Sequence, residues 1–160
     1  MNNDTTDAAN LAGNTHSKLV GYILWIFGFT GAHRFYYGRP VTGTIWMCTL
    51  GLFGIGWLVD LFLIPRMDRE ADRRYVAGPK SYNLTWLLHA PLGLAGAHRL
   101  YLEKWVSGSL CLGMAAVVAF SFGTMAAILG PVMFVIWVYD FWTLNGQVSG
   151  INAAALASKR

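Results

Sequence analysis

The sequence predicts an all-α integral membrane protein: two tandem transmembrane helical hairpins making about four principal crossings, the last segment long and broken. Three observations predict it. Of 160 residues, 55% are apolar and only 12% charged, about half the charge of an ordinary soluble domain. The charges avoid four stretches, residues 19–32, 41–64, 84–97 and 106–144, leaving runs that suit a bilayer. The chain also repeats itself. A shift of 65 residues lays Gly28 to Gly43 on Gly93 to Gly108 with eight of sixteen positions identical, where average residue usage gives about one.

The elements follow in order. Residues 1–17 are polar, lack a basic region before an apolar core, and read as a disordered tail rather than a signal peptide. Residues 18–64 form the first hairpin. Residues 65–81 are a charged linker in which Pro65 stops the preceding helix, residues 66–75 make a short solvated or interfacial helix, and Gly78-Pro79 turns the chain. Residues 82–144 form a second, divergent hairpin with an insertion of about fifteen residues within 114–131, since Trp137-Val-Tyr-Asp140 lies that much further from its histidine than Trp57-Leu-Val-Asp60 does. Residues 145–160 are an Ala-rich tail that extends a helix or frays.

Lengths constrain the crossings. A ~30 Å core needs about 20 helical residues, so 41–64 spans in one pass. Stretches 19–32 and 84–97 are short, and the aromatic residues after them complete the crossing or lie at the interface. Stretch 106–144 is about twice the core and breaks near Gly123 or Pro131; a fifth crossing is the alternative. Tyr22, Tyr36, Tyr82, Tyr101, Trp105 and Trp142 mark the ends of stretches. With four crossings, Lys18, Arg66, Arg69, Arg73, Arg74, Lys80, Lys159 and Arg160 lie on one side against Arg34, Arg39, Arg99 and Lys104 on the other, which puts both termini and the linker in the cytoplasm.

The residues that carry chemistry are few. Gly31-Ala-His33-Arg34-Phe-Tyr36 and Gly96-Ala-His98-Arg99-Leu-Tyr101 place paired cations at each turn, either to bind a lipid headgroup or a partner's carboxylate, or to snorkel and fix the turn's depth. Asp60 and Asp140 are the only acids inside apolar stretches and need partners. Lys18 is the expected partner of Asp60, and Lys80 or Asn83 of Asp140. An Arg34–Asp60 pair requires the chain to fold back around Gly51, Gly54 and Gly56. An ion-relay role for the acids stays open. His33, His98 and His89 lack the spacing of a haem or metal site, and His89 beside Pro91 reads as a polar residue packed between helices. Cys48 and Cys111 lie in apolar stretches and imply no disulfide framework. The glycines suit close helix packing, no nucleotide loop or catalytic triad is present, and no enzyme is expected.

Gly-x-x-Gly-x-His-Arg-Phe-Tyr-x-Gly followed by an apolar helix and Trp-x-x-Asp resembles the TM-two domain family of paired transmembrane helices. The resemblance covers most of residues 18–64 and, with Leu100 for Phe35 and Glu103 for Gly38, more loosely 82–144. It implies a membrane protein without an assigned biochemical activity, in a family with many bacterial members and with animal relatives linked to signalling or phagocytosis.

These readings lead to a non-enzymatic structural or interaction protein, an accessory subunit or oligomerising module, in contact with membrane lipids and with another membrane protein or a second copy of itself. A small channel or transporter component using Asp60, Asp140 and the His-Arg turns is the alternative. Neither cofactor nor metal is expected. The net charge of +4 flanks apolar runs and points to anionic lipid rather than nucleic acid. The expected location is a multi-pass place in a bacterial inner membrane.

Overall fold

A computed structural model describes residues 14–26, 31–121 and 124–159. Among these residues every regular element is helical. The helices are α1 (Lys18–Ile26), α2 (Ala32–Tyr36), α3 (Pro40–Phe53), α4 (Ile55–Arg74), α5 (Tyr82–Leu92), α6 (Ala97–Tyr101), α7 (Trp105–Phe120) and α8 (Ala126–Ala157). The chain divides into two compact units: Met1–Asn83 with Leu144–Arg160, and Leu84–Thr143. Among the described residues, α8 is the one helix long and apolar enough to cross a membrane; α3 and α7 are shorter apolar helices.

In the first unit, residues 41–64 do not make a single pass. The helix breaks where Leu50, Gly51, Leu52, Phe53 and Gly54 all take positive φ, and α4 folds back along α3. A Cβ at Gly51 would touch Trp57, and one at Gly56 would touch Trp46, which marks the closeness of the two helices. Each non-glycine residue there costs roughly 1–2 kcal/mol. In return the turn keeps its backbone paired, Gly54 N–H to Leu50 O at 3.2 Å and Leu52 N–H to Thr49 Oγ1 at 3.0 Å, a requirement wherever water is absent. The turn exposes Leu50, Phe53 and Ile55.

Pro65 does not stop α4. It lies inside the helix, which runs on to Arg74, so the expected linker helix is the end of α4. That end is tied back to the first turn: Arg39 and Arg66 both donate to Glu70, and Arg74 Nη1 donates to Gly38 O at 2.8 Å. The N-terminal residues nearest α1 are also docked. Thr15 and His16 give their backbone N–H groups to Asp72 Oδ1 at 2.9 Å, and the His16 ring sits among Tyr36, Tyr37, Tyr75 and Tyr82. The rest of the expected disordered tail, residues 1–13, lies outside the described residues. Leu144–Arg160 completes the unit. Asn145 donates to the Phe35 and Tyr36 carbonyls at 3.1 and 2.7 Å, and Asn152 to Val76 O and Lys80 O at 3.0 Å.

Burial pushes His16 down from the ordinary 6.5 to about 4, against the opposing pull of Asp72. Undocked His16 takes a proton between those values that the docked ring refuses, so the anchor is strongest above about pH 6.5 and weakens as pH falls toward 4. Amide exchange at Thr15 and His16, corrected for intrinsic rates, is expected to accelerate between about pH 7 and 5.

In the second unit, α7 runs to Phe120 and α8 begins at Ala126. The break therefore lies between them, with Gly123 outside the described residues. Pro131 breaks nothing, since it sits within α8. The extra residues of this segment go into two longer helices.

Glu103 holds φ +61°, in the place where the first segment has Gly38 at φ +71°. A side chain in the left-handed region is strained and glycine is not. Glu103→Gly is expected to stabilise the fold by about 1 kcal/mol, read as a higher denaturation midpoint in detergent.

Candidate functional site

Gly31, at φ +71°, is the left-handed residue that starts α2, and Gly96, at φ +74°, starts α6 in the same way. These glycines are required twice over, by their conformation and by close approach. A Cβ on Gly31 would lie 2.6 Å from Trp46 Cβ and 3.0 Å from Gly43 O; on Gly96 it would lie 2.7 Å from Cys111 Cβ and 3.1 Å from Gly108 O. The tight start turns the next two side chains inward. His33 and His98 are 0% exposed and Arg34 only 6%, so these side chains turn into the protein rather than out to water.

Both segments close the same clamp. In the first, His33 Nε2 meets Asp60 Oδ2 at 2.7 Å, while Arg34 donates through Nε to Oδ2 at 2.7 Å and through Nη2 to Oδ1 at 2.5 Å. In the second, His98 Nε2 lies 2.9 Å from Asp140 Oδ2, and Arg99 donates through Nε at 2.9 Å and Nη2 at 2.7 Å. The planar fork of arginine matches both carboxylate oxygens, and the imidazole N–H adds a third donor. Asp60 and Asp140 are both 0% exposed. Such groups are tolerable only as a fully paired set.

These contacts correct the expected partners. Asp60 is held by Arg34 and His33 rather than by Lys18, and Asp140 by Arg99 and His98 rather than by Lys80 or Asn83. Asn83 accepts a hydrogen bond from Tyr36 Oη, and that oxygen also receives the Ser17 N–H at 2.6 Å. The fold-back at Leu50–Gly54 is what brings Asp60 to Arg34. Tyr36 is fully buried, and Tyr101 is partly exposed.

The surroundings of the two clamps differ. In the first, the Arg34 guanidinium stacks 3.5 Å above Trp46, and Trp57, one turn before Asp60, lies flat on Trp25 at 4.2 Å, each indole N–H bonded to the other's carbonyl. In the second, Trp137 faces His89, and His89 Nδ1 lies 3.4 Å from His98 Nδ1. Sequence reasoning singled out the clamp residues but missed their partnership, and it missed Asp72, Asn145 and Asn152. A polar residue recurring once in an apolar helix was the available signal for the two asparagines.

Among the described residues the chain is helical throughout its regular elements, with one helix long and apolar enough to cross a membrane and two buried cation–carboxylate clamps. Residues 14–62 match the model of the TM2 domain family, the segment that holds the whole first clamp. A TM2 domain-containing protein of Dictyostelium discoideum is 45% identical over 60 residues, 37% of this chain and 39% of that protein. A second from the same organism is 53% identical over 47 residues, 29% of this chain and 34% of that protein. TM2 domain-containing protein 1 of Danio rerio is 42% identical over 62 residues, 39% of this chain and 31% of that protein. The chain thus spans less than two fifths of the length of these curated relatives. They are eukaryotic and lend no support to a bacterial inner membrane. No solved structure matches.

Proposed function

We propose that this chain is a non-enzymatic, multi-pass membrane protein of two tandem TM2-like copies, which docks through its apolar surface on another membrane protein or on a second copy of itself. The observation that carries this reading is the internal consumption of the polar groups. Asp60 and Asp140 are each bonded to the His-Arg pair of their own segment. Many large apolar side chains are turned outward, with Phe53 89%, Val106 88% and Phe120 84% exposed. A clamp of this kind specifies one packing of short helices in a medium where apolar contacts alone discriminate poorly. The same burial weighs against the channel, because a conducting path needs carboxylates that face water.

Photo-crosslinking in native membranes with a reactive residue at Phe53 or Val106 tests the proposal. Adducts to a membrane protein or to a second copy are expected. Lipid adducts alone at both positions, with a monomer on purification, would defeat it. Liposomes containing the protein are expected to show no ion flux above empty vesicles; flux abolished by Asp60→Asn would favour the channel.

A further inference from the structure

The helices of the first unit begin and end on one side of it. Ser17, just before α1, gives its N–H to Tyr36 Oη at the end of α2 at 2.6 Å. Thr15 and His16 are bonded to Asp72 near the end of α4. Gly38 O and Arg39, just before α3, are bonded to Arg74 and Glu70 in the last turns of α4. The start of α1, the end of α2, the start of α3 and the end of α4 are thus tied together. At the opposite end lies the Leu50–Gly54 reversal, and Trp25, near the end of α1, stacks on Trp57 just past it.

Charge is sorted in the same way. Lys18, Arg39, Arg66, Arg69, Arg73 and Arg74 belong to the tied end, which suits anionic headgroups. Between Arg39 and Arg66 the one charged residue is Asp60, and the clamp consumes it. Around the reversal Leu50, Leu52, Phe53 and Ile55 are exposed, as are Ile45 and Leu58 along the arms. The unit is a wedge with an apolar tip and a charged base.

Length decides how deep such a wedge goes. The arms Pro40–Thr49 and Ile55–Ile64 have ten residues each, about 15 Å of helix, and α1 has nine. The hydrocarbon core is ~30 Å thick, so the arms reach its middle. At that depth the reversal needs internal hydrogen bonds, and Leu52 N–H to Thr49 Oγ1 and Gly54 N–H to Leu50 O supply two. Straightening residues 41–64 into one crossing helix would carry Asp60 about 25 Å from Gly43, whose carbonyl lies beside Gly31 at the start of the clamp helix. The carboxylate would then be left in hydrocarbon without Arg34 and His33.

We propose that the first unit is a re-entrant wedge. It enters one leaflet, buries the Leu50–Ile55 tip among acyl chains near the bilayer midplane, and leaves by the face through which it entered. Crossing is left to α8, which is long and apolar enough for it. The inference rests on the membrane reading proposed above, and it leaves docking to the apolar surface outside the tip.

The test uses the full chain with Cys48→Ala and Cys111→Ala and a single new cysteine, Val41→Cys or Arg73→Cys. Sealed membrane vesicles of one orientation are treated with a membrane-impermeant maleimide before and after permeabilisation. Both positions are expected to react from the same side. Pulsed electron resonance between nitroxides at Val41 and Phe62 is expected to give a separation well below the roughly 30 Å of a continuous helix. A nitroxide at Phe53 is expected to collide with oxygen and to be shielded from a water-soluble nickel chelate. Reaction from opposite sides, or a separation near that of a continuous helix, would overturn the wedge and leave the membrane reading intact. Access of the chelate to Phe53, or shielding from both reagents, would put the tip in water or against protein and overturn it equally. Release of the protein from membranes by alkaline carbonate would overturn the wedge and the membrane reading together.

Discussion

Asp60→Ala is expected to destabilise the protein by about 3–5 kcal/mol, the usual cost of removing one partner from a buried ion pair. The alanine leaves the Arg34 guanidinium and the His33 imidazole without the carboxylate that accepts all three of their bonds. The loss is a large part of the roughly 5–15 kcal/mol that holds a typical domain, and for a chain of this size it lowers the denaturation midpoint by roughly 10 °C or more. Asp60→Asn keeps the volume and one acceptor oxygen and is expected to fall between. Adding Arg34→Leu and His33→Leu to Asp60→Ala should recover part of the loss, because an apolar set no longer strands a charge. Thermal scanning of wild type and these variants in one detergent decides the matter. An Asp60→Ala midpoint equal to wild type would mean that the clamp carries no stability.

Gly31→Ala is expected to cost about 2–5 kcal/mol, from two sources. The left-handed φ of +71° charges any side chain roughly 1–2 kcal/mol. The methyl would also lie 2.6 Å from Trp46 Cβ, an overpacking worth about 1–3 kcal/mol. Gly54 separates the two. It has φ +83°, and a Cβ added there would meet nothing within 4 Å, so Gly54→Ala should show the conformational cost alone. Similar midpoints for the two variants would remove the steric part of the argument. Gly96→Ala, with Cys111 Cβ at 2.7 Å, should follow Gly31→Ala.

The helical class and the clamp residues were legible in the sequence because they are marked by composition and by repetition. Apolar runs announce helices, and Gly-Ala-His-Arg with Trp-x-x-Asp stands out when the chain is laid on itself. The partners were not legible, because the partnership depends on one turn. Five consecutive residues at positive φ reverse α3 into α4, and three of them are leucine or phenylalanine, side chains that ordinarily oppose that conformation. Helix-length reasoning therefore ran through the turn and put Asp60 at the far end from Arg34. Pro65 and Pro131 misled in the opposite direction. Each reads as a stop, yet each lies inside a helix whose packing tolerates the lost hydrogen bond. The contact of His89 with His98 was not legible because it is reached across the Gly93 turn. The length of α8 was invisible for a simpler reason: the Ala-rich residues after Asn145 continue a helix as readily as they end one.

The carbonyls at the end of α2 and those of Val76 and Lys80 find their donors in Asn145 and Asn152, residues from the last part of the chain. During synthesis the first clamp can therefore assemble long before its unit is closed. Until Asn152 has left the ribosome, these carbonyls lack the asparagine donors, with Phe35 O still accepting from Gly38 N–H and Val76 O from Tyr82 Oη, each at 2.9 Å, and the surface that the end of α8 later covers stays available. The nascent first segment is in this sense an open half-product, whose lifetime is set by the rate of translation through the second.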